Sequence, residues 1–376
     1  MSEERAPPEA ASGPAGLESQ AKVRRALLRG FTSSALGAVG VLIALLVVSR
    51  TDLGKGAFED LMARASWGRV LLASLLMSAA FVFMALRWRS LMPREHRPAI
   101  PGLTAMLLGG LLLNYAFPGP VGELGAAWFA HRRYGLTFSD ALASGVAARV
   151  VGLATAAAIA LLVWLFVDLP VPEGYDALVG LSALVIGLGG ALLGTLAARP
   201  RTWQRIASRV LQWVATASVL RRPAERLEGA VVSVTESLAG VVARGLPAYL
   251  RAAGWAVGGH LTVSLGIGVA ASAFGVWPDP AGLVFTYTLS TAGSVLLFAF
   301  PGSQLTWDAA FAALLIGACG LLPGDALGVA LLVRLQQVAL QAIGGLCMAW
   351  LLATWSASAA SPGATVTEGS GNRSSS

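Results

Sequence analysis

Long apolar runs separated by clusters of arginine are the feature that most restricts how this chain can fold. A hydrocarbon layer about 30 Å thick requires a helix of about 20 apolar residues. Runs close to that length lie at about 30–49, 69–86, 144–167, 177–198, 252–275, 282–300 and 326–351. Only 12% of the residues are charged and 56% are hydrophobic, whereas about a quarter of the residues in a soluble domain are charged. We therefore predict an all-α polytopic membrane protein with about 7–8 transmembrane helices, and exclude a soluble enzyme, a disordered regulator and a nucleic-acid-binding domain.

The basic residues predict how the helices are oriented. Of the 27 Lys and Arg residues, 25 are arginine, and they cluster between the apolar runs. One cluster, residues 22–29, precedes the first run, and another, residues 87–97, follows the second run. The linker 168–176 carries three acids and no Lys or Arg. The positive-inside rule then places the N-terminus in the cytoplasm and this linker outside. Because the preference for arginine is typical of GC-rich bacterial genomes, we expect a bacterial cytoplasmic (inner) membrane protein.

Polar segments divide the chain into a membrane domain and its flanks. Residues 1–20 and 356–376 have the composition of disordered tails, which leaves residues 21–355 as the membrane domain. The arginine-rich linker 199–247 is predicted to be cytoplasmic. It contains apolar residues at helical spacing, namely Trp203, Ile206, Val210 and Trp213. Such a helix either lies on anionic lipid or packs on the membrane domain.

Two apolar segments do not fit a simple span. Residues 101–117 have cytoplasmic-type charge on both sides, and residues 282–322 are flanked by loops without Lys or Arg. We predict a pair of re-entrant or broken helical hairpins, the first entering from the cytoplasm and the second from outside. Their breaks fall at Pro118-Gly119 and Pro301-Gly302, where proline lacks a donor and glycine lets the chain turn.

The two hairpins belong to an internal repeat. The tetrapeptide at 116–119 recurs at 299–302, an offset of 183 residues. An offset of 185 then relates three charged positions, namely Glu123, Asp140 and Arg149 to Asp308, Asp325 and Arg334. The repeat halves cover about 100–198 and 248–352. Hairpins that open to opposite sides predict inverted copies, the architecture that recurs in secondary transporters.

The charges repeated within the apolar runs predict a binding site. Arg149 and Arg334 lie near mid-depth, where an arginine costs about 2.5–3.5 kcal/mol on insertion scales. Glu123 and Asp308 are the natural partners of these arginines, and the half-helices after the Pro-Gly breaks would point their positive ends at the same centre. Together these groups could hold an anionic phospholipid headgroup. The alternative is a pair of buried salt bridges that only fix the helix packing.

Several uncharged polar residues have weaker claims. Asn114 either lines a cavity or caps backbone groups at the first break. Gln336, Gln337 and Gln341 are unusual in lipid, so at least one should face the bundle interior, and His260 is expected to form a hydrogen bond between helices. The sequence contains no nucleophilic triad, phosphate-binding loop or metal-ligand cluster. We therefore expect no enzymatic activity, no cofactor and no metal.

Four segments carry a family resemblance. NYAFPGPVGE at 114–123, DALASGVAARVVGL from Asp140, FPGSQLTWDAA at 300–310 and DALGVALLVRL from Asp325 resemble the lysylphosphatidylglycerol synthase transmembrane-region family. The resemblance covers about residues 25–352. It implies about eight spans with two re-entrant hairpins, in a module that moves an aminoacylated phospholipid between leaflets in the best-understood members. The C-terminal synthase domain of those members is not found here, so the resemblance does not imply lipid aminoacylation.

The sequence departs from the family pattern in both hairpins. The family commonly has an arginine where this chain has Pro120, and a glycine-rich turn followed by Glu where this chain has Ser303, Gln304 and Asp308. We expect membrane lipids with an anionic phospholipid headgroup as partners, and the missing arginine leaves the identity of that headgroup open. The leading hypothesis is the binding or translocation of an anionic phospholipid or lipid-linked glycan. The alternatives are a transporter of a small soluble anion and a non-transporting membrane scaffold.

Overall fold

The computed structural model describes residues 63–116, 121–170, 199–214, 221–297 and 303–359, with scattered positions between 177 and 198. All regular structure in these residues is helical, which confirms the predicted all-α class. The predicted first run at 30–49, the N-terminal tail and both Pro-Gly breaks lie outside the described residues. The helices are α1 (Trp67–Ser90), α2 (Ile100–Ala116), α3 (Val121–Tyr134), α4 (Phe138–Phe166), α5 (Pro200–Val214), α6 (Arg221–Val242), α7 (Leu246–Ala273), α8 (Pro280–Leu297), α9 (Ser303–Cys319) and α10 (Pro323–Ala359).

Four of the described helices are long and apolar enough to cross a membrane. They are α1, α4, α7 and the 323–351 part of α10, with mean hydropathies between 1.4 and 2.2. Large apolar side chains point outward from these helices, and Leu71, Phe166, Leu265 and Leu346 are each more than half exposed. Alanine is the commonest buried residue of α1, α4 and α7, as expected where helix backbones approach closely in lipid. The protein is therefore a multi-pass membrane protein.

The shorter helices form two antiparallel hairpins. In the first, Gly110 of α2 packs on Gly122 of α3, so closely that a Cβ atom at either position would meet the other residue's carbonyl oxygen. In the second, Gly282 of α8 packs on the Ala318 carbonyl oxygen of α9, and Thr286 Oγ1 donates to the Leu314 carbonyl oxygen at 3.3 Å. These hairpins lie where the sequence predicts them.

The packing between the halves agrees with an inverted repeat. Helix α1 packs along α7, and the two run antiparallel, because Ser66 N donates to the Ala273 carbonyl oxygen at 2.9 Å while Phe83 lies against Gly258. The hairpin helix α2 packs on α10, and its counterpart α8 packs on α4. Each half therefore places its first hairpin helix against the long last helix of the other half. The pattern also adds α1 to the first half, as the counterpart of α7 in the second half.

The linker 199–247 is helical over most of its described length. Helices α5 and α6 pack together, with Gln204 Nε2 donating to Thr235 Oγ1 at 3.0 Å, and α6 packs on α4. Within the linker, Ile206 is 44% exposed. Pro200, Pro223 and Pro247 lie in the first turns of helices, where a missing backbone donor costs nothing. For α6, packing on the membrane domain is the arrangement observed.

The last helix extends beyond the apolar run that ends at residue 351. It ends at Ala359, four residues into the segment 356–376. Residues 355–359 read WSASA, and alanine favours helix strongly enough to carry the last turn past the end of the apolar run. Residues 360–376 lie outside the described part of the chain.

Replacing Gly344 by valine should destabilise the contact between α2 and α10. A Cβ atom at position 344 would collide with the Leu108 carbonyl oxygen, and a backbone atom cannot move aside as a flexible side chain can. We expect the free energy of unfolding to fall by about 1–3 kcal/mol, measured by denaturation in detergent micelles. Gly254→Val is the matched control, because nothing lies within 4 Å of a Cβ atom there. Equal losses in the two variants would contradict the role assigned to this contact.

Candidate functional site

Glu123 and Arg149 form the first of the two predicted charged pairs. Glu123 lies in the first turn of α3, and its Oε1 contacts Nη1 of Arg149 on α4. Neither side chain is fully buried: 31% of the Arg149 side chain and 19% of the Glu123 side chain are exposed. The pairing predicted from sequence is therefore confirmed, in a place that is still open to a ligand.

The pair lines a partly open cavity of about 310 Å³, which is bordered by six helices from both halves of the repeat. The walls are largely apolar and include four aromatic side chains, Phe81, Phe83, Trp88 and Trp255. The polar lining consists of Arg87, Asn114, Glu123, Arg149, His260, Tyr287 and Thr291. An apolar chamber with a few convergent polar groups is the usual form of a small-molecule or cofactor site. Here it suits an amphiphile with an anionic head.

Arg87 is the functional candidate that sequence reasoning missed. Its position directly after the run 69–86 made it look like a topology signal, but it lies within α1 and lines the cavity. The guanidinium packs against Gly152, where a Cβ atom would collide with it. Its Nε is buried without a hydrogen-bond partner, and no carboxylate oxygen of the described residues lies within 4.0 Å of it. Gly152, a small residue three positions after Arg149, was the only sequence signal for the contact between Arg87 and α4.

Asn114 fulfils both of the roles considered for it. Its Oδ1 accepts a hydrogen bond from the Gly122 backbone N at 2.6 Å, which satisfies a free donor at the start of α3. The side chain also lines the cavity, one turn from Gly110. The other predicted residues of the breaks, Pro118, Gly119, Pro301 and Gly302, lie outside the described residues.

The second predicted pair has a closed geometry. Arg334 Nε donates to Asp308 Oδ2 at 2.9 Å, and Arg334 Nη2 lies 2.5 Å from Asp308 Oδ1. Arg334 Nη1 also donates to Gln337 Oε1 at 2.9 Å, and only 4% of the Arg334 side chain is exposed. Neither Asp308 nor Arg334 lines the cavity of the first pair. The structure thus joins each acid to its own arginine, but it does not bring the two arginines to one cavity.

The remaining polar residues of the bundle mostly hold helices together. His260 Nε2 lies 3.0 Å from the Gly152 carbonyl oxygen, which is the interhelical hydrogen bond expected from sequence. Gln336 and Gln341 are buried, which confirms that at least one of the three glutamines faces inward. Asp140 belongs to the start of α4, where Thr137 Oγ1 accepts from its backbone N at 3.0 Å. These contacts position the cavity walls.

Positive charges gather at one end of the bundle, outside the spans. Burial and the neighbouring charge of Arg89 lower the pKa of Arg97, and Arg251 lowers it further. Burial lowers the pKa of Arg244, while the carboxylate of Asp140 opposes that shift. Arginines from the end of α1 and the start of α7 therefore share one region, as a common cytoplasmic face would require.

The comparisons with known proteins agree with the fold. The family model described as "Lysylphosphatidylglycerol synthase TM region" matches residues 36–345, more than four fifths of the chain. No curated protein and no solved structure matches the chain.

Proposed function

The chain belongs to the lysylphosphatidylglycerol synthase TM region family, and on that premise we propose that it binds an anionic phospholipid or lipid-linked glycan and moves it between membrane leaflets. The observation that carries the proposal is the cavity of about 310 Å³, in which Arg87 and Arg149 face a ligand space with apolar walls. Acyl chains suit such walls, and guanidinium groups suit a phosphate.

The first charged pair supplies a physical reason for reversible binding. In the empty cavity Glu123 keeps Arg149 neutralised, so the arginine is held at depth without a substrate. A phosphate entering the cavity competes with this carboxylate for one guanidinium and meets the second guanidinium of Arg87. Since Arg149 is 31% exposed, the exchange does not require the pair to be unpacked first. Binding that is strong enough to capture the headgroup but balanced by an internal carboxylate also permits release.

Movement between leaflets follows from the repeat. Because the cavity is lined by helices of both halves, a rocking motion of one half on the other would change the side from which it opens. We propose a bacterial cytoplasmic membrane with the N-terminus inside, on the basis of the arginine distribution. The closed geometry of Asp308 and Arg334 supports a structural role for that pair within the same motion.

Replacing Arg149 by glutamine should slow lipid movement by about tenfold, the value of one charge-assisted contact worth about 1.4 kcal/mol. The measurement is the transfer of a labelled anionic phospholipid across vesicles that contain the purified full-length protein. Arg251→Gln removes the same charge from the exposed start of α7, outside the cavity, and should keep the wild-type rate.

Three results would contradict this function. If Arg149→Gln and wild type moved every phospholipid at the rate of protein-free vesicles, the lipid-translocation proposal would fail. If only a soluble anion crossed, in proportion to its own gradient, the chain would be a solute transporter. A loss of thermal stability in Arg149→Gln without any change in transport would indicate a scaffold.

A further inference from the structure

The two charged pairs differ at one position of the repeat. The offset of 185 that relates Arg149 to Arg334 also relates Gly152 to Gln337. In the second half, the Gln337 amide accepts a hydrogen bond from Arg334 at 2.9 Å and completes a closed pair. In the first half, glycine has no side chain to offer, and the guanidinium of Arg87 lies there instead. The repeat is thus broken in a way that adds one cation and leaves the first site open.

The presence of Arg87 beside Gly152, where the other half has the Gln337 amide, sets the charge of the cavity. Among the described residues that line it, the charged side chains are Arg87, Arg149 and Glu123, two cations against one anion. Setting His260 aside as neutral, the empty cavity carries one net positive charge. A ligand with one negative charge would neutralise it. A ligand with a net positive charge would raise the charge to two in a medium where uncompensated charge is very costly.

The unmet hydrogen bonds narrow the ligand further. Arg87 Nε is a buried donor without a partner, and Glu123 Oε2 is a buried acceptor without a partner among the described residues. A phosphodiester oxygen would satisfy the donor, and a hydroxyl on the same headgroup would satisfy the acceptor without adding charge.

We infer that the cavity selects a monoanionic phosphodiester whose headgroup carries neutral hydroxyl donors, and that Arg87 excludes aminoacylated headgroups. This inference rests on the proposed function and specifies its substrate. Phosphatidylglycerol has the selected chemistry. Lysylphosphatidylglycerol does not, because its two amines outweigh the single phosphate charge. The headgroup could be part of a lipid or of a soluble glycerophosphodiester, since the polar groups of the cavity would bind both in the same way.

The test compares three probes on the purified full-length protein in detergent. Native mass spectrometry or competition binding would measure phosphatidylglycerol, lysylphosphatidylglycerol and soluble glycerophosphoglycerol. Wild type should retain phosphatidylglycerol at least about tenfold more tightly than the lysylated lipid. Arg87→Gln should bind phosphatidylglycerol about tenfold more weakly and bring the ratio of the two lipids close to one. Arg87→Lys keeps the charge and should keep the preference, and Arg251→Gln is the matched surface control.

The outcomes separate this inference from the proposed function. If wild type retained lysylphosphatidylglycerol as tightly as phosphatidylglycerol, or more tightly, the inference would be overturned. If Arg149→Gln weakened that binding, the proposal that the cavity binds a lipid would still stand. An unchanged ratio of phosphatidylglycerol to lysylphosphatidylglycerol affinity in a folded Arg87→Gln variant would also overturn the inference. If Arg87→Gln does not fold, Arg87→Lys decides instead, and loss of the preference for phosphatidylglycerol in that variant would overturn the inference. Glycerophosphoglycerol binding as tightly as the lipid would support the charge rule but contradict a lipid substrate. Binding of neither lipid in an Arg149-dependent way would refute the proposed function.

Discussion

Replacing Asp308 by asparagine is expected to lower the free energy of unfolding by about 3–5 kcal/mol, the cost of leaving a buried charge without its partner. Arg334 is the residue that would lose its partner. Its side chain is 4% exposed, two of its nitrogens face the carboxylate, and the third bonds Gln337. Chemical denaturation in detergent micelles, followed by helical circular dichroism, would measure the change.

The equivalent change in the first half supplies the comparison. Glu123→Gln should cost only about 1 kcal/mol, because Arg149 is 31% exposed and a partly solvated pair contributes little. Combining Asp308→Asn with Arg334→Met removes both charges and should recover most of the stability lost in the single variant. If Asp308→Asn cost no more than Glu123→Gln, the division into a closed structural pair and an open binding pair would be wrong.

The charged pairs were predictable from the sequence, because an acid and an arginine recur at the same offset within apolar runs. An unpaired charge in such a run is costly, so each acid is expected to pair with an arginine. Helices α1, α4 and α7 were predictable for a similar reason, since each is a long apolar run whose length matches a bilayer. The positions of the helix pairs α2–α3 and α8–α9 followed from the apolar segments on either side of the two Pro-Gly dipeptides. In each case the evidence lies either within one apolar run, whose length must match the bilayer, or in two segments related by the internal repeat.

Arg87 was not predictable in this way. At the end of an apolar run, an arginine that snorkels to the cytoplasm and an arginine that turns into the bundle have the same sequence context. The difference arises from the contact of α1 with α4, where Gly152 leaves room for a guanidinium. Such a contact joins residues 65 positions apart along the chain, and the internal repeat does not relate these two positions. For the same reason the sequence did not show that the two arginine pairs occupy different environments.

The asymmetry at Gly152 and Gln337 explains how one repeated arrangement of charges can serve two purposes. An inverted repeat with two identical open sites would hold two net positive charges in the bundle, each of which needs compensation. Closing one site with an amide satisfies Arg334 permanently, so that half contributes a stable framework. The other half keeps the uncompensated cation that a ligand can neutralise. Stability and binding are therefore assigned to different copies of the same motif.

Replacing Gly152 by glutamine copies the closed site into the open one, and should weaken binding of phosphatidylglycerol by about a hundredfold, or about 2.7 kcal/mol. Two losses combine in this variant. The new side chain displaces Arg87, whose guanidinium already occupies the place of a Cβ atom, and its amide oxygen can bond Arg149 as Gln337 bonds Arg334. Both cations would then be withdrawn from the ligand, each worth about tenfold. Competition binding with the purified protein would measure the effect, alongside lipid transfer in vesicles.

Gly254→Gln controls for the cost of removing a helical glycine, because that position faces open space and should keep wild-type binding. Gly152→Ala should fall between wild type and Gly152→Gln, since its methyl group moves Arg87 but offers no amide to Arg149. The glutamine variant should also be at least as resistant to denaturation as Gly152→Ala, because its amide satisfies a guanidinium donor. Wild-type affinity in a folded Gly152→Gln variant would show that the ligand does not depend on these two arginines, and the cavity would lose its assignment as the binding site.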